Sequence, residues 1–139
     1  MGKVKLIECP RDAMQGIRDF IPTEKKAQYI QSLLRCGFDT IDFGSFVSPK
    51  AIPQMKDTAE VLSKLDLSST KSKLLAIVAN TRGATDASKF EEIDYLGYPF
   101  SISENFQMRN THKTIAESVE VLQEILNIAD ANNKEVVAY

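Results

Sequence analysis

At 139 residues the chain is one domain's worth of polypeptide, enough to bury a core but well short of the about 250 residues of a complete (β/α)8 barrel. Hydrophobic residues at 43% and charged residues at 26% are ordinary for a folded domain, and 17 basic against 19 acidic residues leave a net charge of -2. Lys and Arg are dispersed, with no zinc-finger or aromatic-rich RNA-binding pattern, so no nucleic-acid partner is expected. The longest apolar run, residues 74–79, falls far below the roughly 20 residues of a membrane helix, and no membrane association is expected. Cys9 and Cys36 form no CxxC or Cys/His cluster and read as small buried residues. The start, Met1-Gly2-Lys3-Val4-Lys5, runs into a strand without an apolar leader, which predicts a cytoplasmic protein.

In chain order, Val4, Leu6 and Ile7 predict a buried strand that Pro10 ends, because proline cannot donate to the ladder. Arg11, Asp12 and Gln15 follow at once: a fixed cation, a hard oxygen ligand and an amide launched from one rigid element. Their bland alternative is a surface ion pair in a loop, common and weak. Residues 13–22 read as a loop, and Pro22 with the Thr23 hydroxyl starts a helix. Ala27, Ile30, Leu33 and Leu34 share one face of it, with Lys25, Lys26 and Gln31 turned away, and Gly37 ends it. Residues 40–46 predict a second strand whose end carries Asp42 and Ser45.

Pro49 and Pro53 stiffen the next connection. A helix from Gln54 then buries Met55, Thr58, Ala59, Leu62 and Leu65, and residues 68–70 close it. Residues 74–79 form a continuous apolar run, the pattern of a strand buried on both faces of a parallel sheet, and end at Asn80. Ala84, Ala87 and Phe90 give residues 81–92 a short helical face. Residues 95–102 predict a fourth strand, bulged or bent by Gly97 and Pro99, followed by a polar loop over 103–113. Thr114 and Glu117 form a capping box for the clearest helix, with Ile115, Val119, Leu122, Leu126 and Ala129 on its buried stripe and Asn132-Asn133 as its stop. Residues 135–139 predict a fifth strand.

Strand and helix therefore alternate, the pattern of parallel strands joined by right-handed crossovers. Polar residues collect after successive strands: Arg11 and Asp12, then Asp42 and Ser45, then Asn80, then Ser103 and Glu104. In a parallel α/β sheet those ends share one side, as on the active face of a (β/α)8 barrel. A doubly wound sheet is the rival, disfavoured because no glycine-rich phosphate loop follows any strand. The expected fold is α/β: a partial TIM (β/α)8 barrel of about four βα units plus a fifth strand, with residues 1–139 as the N-terminal half of a single catalytic domain.

Two of these strand ends resemble a known family. Pro10-Arg11-Asp12-Ala13-Met14-Gln15, and Ser45-Phe46-Val47-Ser48-Pro49-Lys50 with Pro53-Gln54-Met55 after it, are similar to the first two strand-end motifs of 3-hydroxy-3-methylglutaryl-CoA lyase, of the DRE-TIM metallolyase superfamily. The second motif separates this lyase from the related synthases and aldolases. The resemblance runs along all 139 residues and covers about half of the family's barrel. It implies cleavage of 3-hydroxy-3-methylglutaryl-CoA to acetyl-CoA and acetoacetate, in leucine degradation, with Mg2+ or Mn2+ as cofactor and an acyl-CoA as substrate.

By the same resemblance, Asp12 would ligate the metal, Arg11 would meet the enolate oxygen, and Asp42 and Gln15 would complete the catalytic group. Ser45, Asn110, Arg18 and Tyr139 would contact substrate, Arg18 towards the CoA. The family usually carries Glu at the place of Asp42, and one more residue between Glu8 and Pro10. Its metal-binding HxH pair, a further asparagine ligand and its reactive-cysteine loop belong to a second half beyond these residues; His112 matches no family ligand. A related aldolase or condensing enzyme, and a non-catalytic half-barrel assembly module, are the alternatives. A half-barrel leaves its first and fifth strands as edges, which predicts either the remainder of a barrel or a second copy, a homodimer, as the partner.

Overall fold

The computed structural model describes residues 4–139, so the reading of the first five residues as leaderless rests partly on Met1–Lys3, which lie outside the described residues. Five strands, β1 (Ile7–Glu8), β2 (Thr40–Ser45), β3 (Lys73–Ile77), β4 (Tyr95–Tyr98) and β5 (Glu135–Ala138), form one sheet in the order β1-β2-β3-β4-β5. Every neighbouring pair is parallel. Sequential order with parallel pairing requires a crossover after each strand. Helices α1 (Pro10–Gln15), α2 (Thr23–Leu34), α3 (Thr58–Ser63), α4 (Thr81–Ser88), α5 (Glu104–Thr111) and α6 (Ile115–Ala131) lie in those crossovers. The expected α/β alternation is present, and β1 and β5 are the edges of the sheet.

The two faces differ. Ile41, Phe43, Leu74, Ala76, Leu96 and Tyr98 pack with Ile30 and Leu34 of α2, Ala84 and Ala87 of α4 and Ile125 and Ala129 of α6, which makes the main core. The opposite face carries a smaller cluster of Leu75, Ile77 and Tyr95, flanked by Val47 and Val137. Leu74 to Val78 alternate between the two clusters and all are buried, which is why the segment reads as one apolar run.

Local chemistry moves several boundaries. Pro10 does end β1, but it also opens α1, where its fixed φ suits the first helical position and its missing N–H is not needed. The helix therefore occupies part of the expected loop over 13–22. At the sheet edge, β1 is not buried: Leu6 and Ile7 are exposed because, among the described residues, no strand lies beyond them. The helix expected from Gln54 divides into a 3-10 turn, Pro53–Met55, and α3, which ends at Ser63 with Ala59 exposed. Strand β4 stops at Tyr98, before Pro99. The predicted polar loop after it contains α5, capped by the Ser103 hydroxyl accepting from Phe106 N–H. Val119 of α6 is exposed, and Ser118 takes the buried position instead, with its hydroxyl bonded to Gln107 Nε2 at 2.6 Å. Cys9 and Cys36 are both exposed and free, contrary to their reading as buried residues.

The expected bulge lies in β2 rather than β4. Asp42 pairs with Leu75 and Gly44 with Ala76, so Phe43 is an extra residue in the ladder. In an unbroken strand, residues three apart point to opposite faces. The inserted residue brings Ser45, paired with Ile77, onto the face of Asp42. Gly44 permits the distortion: an added Cβ would sit 2.4 Å from Thr58 Cγ2. Thr58 cannot rotate away freely, since its hydroxyl donates to Met55 O at 2.8 Å and accepts from Ser45 N–H at 3.0 Å. Gly44→Ala should therefore destabilise the fold by about 1–3 kcal/mol; urea denaturation with an unchanged m-value checks it.

Candidate active site

Site construction starts at the end of β1. Pro10 turns the chain into α1, and Arg11, one residue on, points back at β2. Because Glu8 pairs with Ile41, Asp42 lies one register step further up the sheet, within reach of that side chain. The contact is close: Arg11 Nη2 donates to Asp42 Oδ2 at 2.6 Å and Nε donates to both carboxylate oxygens at 3.2 Å. Both side chains are almost wholly buried, at 9% and 5% exposure.

The remaining donors of Arg11 are also occupied. Nη1 donates to Gln15 Oε1 at 2.8 Å, one helical turn on, and to Asp12 Oδ1 at 3.2 Å, while Nη2 reaches the Tyr139 hydroxyl at 3.5 Å. A guanidinium has five N–H groups, and all five face a protein oxygen. An incoming anionic oxygen must displace one of them. The exchangeable partners are Asp12, whose side chain is 68% exposed, and Tyr139 with its long contact.

Electrostatics follow from this packing. Burial opposes the charged Arg11, but its hydrogen bonds to Asp42 and the Asp42 charge outweigh it, and its pKa rises further above an already high value. Burial holds the Asp42 carboxyl above the usual range, against the pull of Arg11. Burial also raises the Tyr139 phenol, partly countered by Arg11.

Arg11, Asp12, Gln15, Asp42 and Tyr139, all expected from the sequence, thus form one bonded cluster. Ser45 is buried on the Asp42 face, with its hydroxyl accepting from Val47 N–H at 3.2 Å. Arg18 is exposed in the loop after α1, beside a cavity of about 270 Å3 that Gln15 also lines. Asn110 is exposed on α5, outside the bonded cluster formed by the described residues. Asn80, which looked like a strand-end polar group, caps α4 by accepting from Gly83 N–H at 2.9 Å, and Glu104 accepts from Ile115 N–H at 3.0 Å.

For a divalent metal, the residues present are insufficient by themselves. Asp12 is an exposed carboxylate with one oxygen on Arg11, and among the described residues no group of three His, Cys, Asp or Glu side chains converges.

Sequence reasoning missed a second buried network beside the site. Lys26, expected to point away from the buried face of α2, is 2% exposed. It is neutralised by Asp57 at 2.7 Å, hydrogen-bonded to the Gln54 carbonyl oxygen, and covered by the Phe20 ring at 4.1 Å. The available signal was its spacing, four residues before Ile30.

Removing Asp42 would leave a buried cation without its main partner. Asp42→Ala is expected to destabilise by about 3–5 kcal/mol, while adding Arg11→Met to it recovers much of the loss, as a double-mutant cycle by chemical denaturation can test. Tyr98, buried, and Tyr139 are both shifted upward, so at 295 nm part of the tyrosinate absorbance should appear above pH 10 and diminish in Tyr139→Phe. A phenol whose pKa is raised on folding supplies stability below pH 10 that is lost as pH climbs through the folded value.

No family model matches the chain. Hydroxymethylglutaryl-CoA lyase of chicken mitochondria is 34% identical over 140 residues, covering 99% of this chain and 46% of that protein. Among solved structures, the HMG-CoA lyase of Bacillus subtilis superposes with a TM-score of 0.91 at 33% identity, over 99% of this chain and 46% of that one. An HMG-CoA lyase of Acinetobacter baumannii, solved in complex with coenzyme A and 3-methylmalate, gives 0.87 at 29% identity, over 96% and 44%. The chain spans under half the length of these relatives and matches their N-terminal part.

Proposed function

Starting from a chain homologous to the N-terminal part of the hydroxymethylglutaryl-CoA lyases, we propose that it carries the enolate-stabilising half of a carbon–carbon lyase site. The reaction is cleavage of 3-hydroxy-3-methylglutaryl-CoA to acetyl-CoA and acetoacetate. A base takes the C3 hydroxyl proton, the C2–C3 electron pair passes to the thioester as an enolate, and a proton returned to C2 gives acetyl-CoA. The carrying observation is Arg11: a cation buried in a sheet-end site, two of whose partners, Asp12 and Tyr139, are exposed and so exchangeable for a substrate oxygen.

In this reading Arg11 meets the enolate oxygen, where a preorganised charge in a low-dielectric site is worth most. Asp42 has both oxygens on Arg11 and serves by holding it, and Gln15 steadies the other edge of the guanidinium. Ser45, Tyr139 and Asn110 line the acyl pocket, and Arg18 faces the CoA. The coenzyme A in the Acinetobacter relative supports an acyl-CoA ligand of that kind. Asp12 is one oxygen ligand for Mg2+ or Mn2+, a metal that polarises substrate oxygens; the other ligands come from beyond these residues. A complete site accordingly needs the remainder of a barrel; a second copy of this chain, as a homodimer, would cover the open edges of β1 and β5 without supplying those ligands. Two free cysteines suit a reducing compartment, the cytoplasm in this proposal.

The test is a chimera in which these 139 residues replace the matching part of the Bacillus subtilis lyase, assayed for acetoacetate from the thioester with Mg2+. Activity is expected, falling by about 10²–10³-fold in Arg11→Met. A folded chimera without activity, or near-normal turnover in Arg11→Met, would overturn the assignment.

A further inference from the structure

Residues 16–22 leave α1 immediately after Gln15 and carry Arg18. Such a connection has to satisfy its peptide groups somewhere. Within the loop, Ile17 N–H donates back to Met14 O at 3.0 Å. One side chain from elsewhere holds three more of these groups: Gln54 Nε2 donates to Ile17 O and to Asp19 O, and Gln54 Oε1 accepts from Ile21 N–H, each at 2.9 Å. Gln54 is 3% exposed, so water does not compete for these bonds. The clamp is itself braced. Lys26 Nζ holds the Gln54 carbonyl oxygen and Asp57, and the Phe20 ring lies over Lys26 at 4.1 Å and over Lys56 at 4.5 Å.

Helix α1 depends on such support. It has six residues and no side-chain N-cap, too short to be stable alone. Its first turn is fixed by Arg11 on Asp42, and its last residue leads directly into the clamped loop. We propose that Gln54 is a positioning residue for Arg11, setting the orientation of α1 through the loop it grips. The lyase reading says what Arg11 does; the clamp stands on the hydrogen bonds alone.

Nitrogen-15 NMR of the 139-residue chain can follow the Arg11 Nε–Hε signal together with amide exchange of residues 16–21, in the natural chain, Gln54→Met and Gln54→Glu. Met keeps the length of the side chain and removes all three bonds; ionised Glu keeps only the acceptor for Ile21. In Gln54→Met the Ile21 amide, which loses its acceptor, should exchange at least about tenfold faster, the equivalent of one lost hydrogen bond. The Arg11 signal should move or broaden, with β3 amides as protected as before, and Gln54→Glu should fall between. Faster loop exchange with an unmoved Arg11 signal would reduce Gln54 to a loop anchor and overturn the proposal, as would unchanged loop exchange. Should Gln54→Met not fold, Gln54→Glu is read by the same criteria. Acetoacetate release by the chimera is a separate arm: its absence in a folded chimera counts against the lyase reading, while the Arg11 signal still decides the role of Gln54.

Discussion

A guanidinium and a carboxylate buried against each other set the terms for this molecule. Neither Arg11 nor Asp42 could be buried alone, since an isolated ion loses its hydration without return; together they are stable only at close range and with their other polar atoms bonded. That requirement fixes the angle of α1 on the sheet, the level of Arg11 relative to β2, and the placement of Gln15, Asp12 and Tyr139 around the guanidinium. Tyr139 directly follows the far edge strand β5, so the Arg11 side chain links α1 to the end of the last strand.

The pair also explains two irregularities nearby. Pro10 makes the turn from β1 into α1 without wasting an N–H, which delivers Arg11 directly at the sheet end. The extra residue in β2 places Ser45 on the face of Asp42, where an unbroken strand would have turned it to the helices. A bulge beside a site re-aims a side chain at the cost of one ladder position, and Gly44 is what lets Thr58 come close enough to secure it.

Around this centre the support is uneven. The helix-covered face holds a large core, whereas among the described residues the opposite face has a cluster of Leu75, Ile77 and Tyr95 with two flanking valines, bounded by the edges at β1 and β5. The relatives are more than twice as long, and their solved barrels superpose closely on this part, so the weakly covered face corresponds to the interior of their barrel. Precision at the site therefore comes from the covered side: the ion pair at one end of α1 and the buried Gln54, Lys26 and Asp57 group at the other.

What the sequence determined was order and chemistry. Alternating strand and helix patterns, with an uninterrupted apolar run at β3, specify a parallel sheet because periodicity records which faces are buried, and the two strand-end motifs named a family. The Thr114–Glu117 capping box was legible for the same reason, since its bonds are local. Long-range neighbours decided the rest. Lys26 and Val119 sit on the wrong side of their helices by polarity alone; only Asp57 and Phe20 make a buried lysine tolerable, and only the geometry of α5 gives Ser118 the position a valine was expected to fill. Asn80 and Glu104 looked functional because strand ends and helix caps want the same residues. The bulge at Phe43 left no mark in the pattern, because an extra residue in a strand buried on both faces changes no polarity, only the partner it meets.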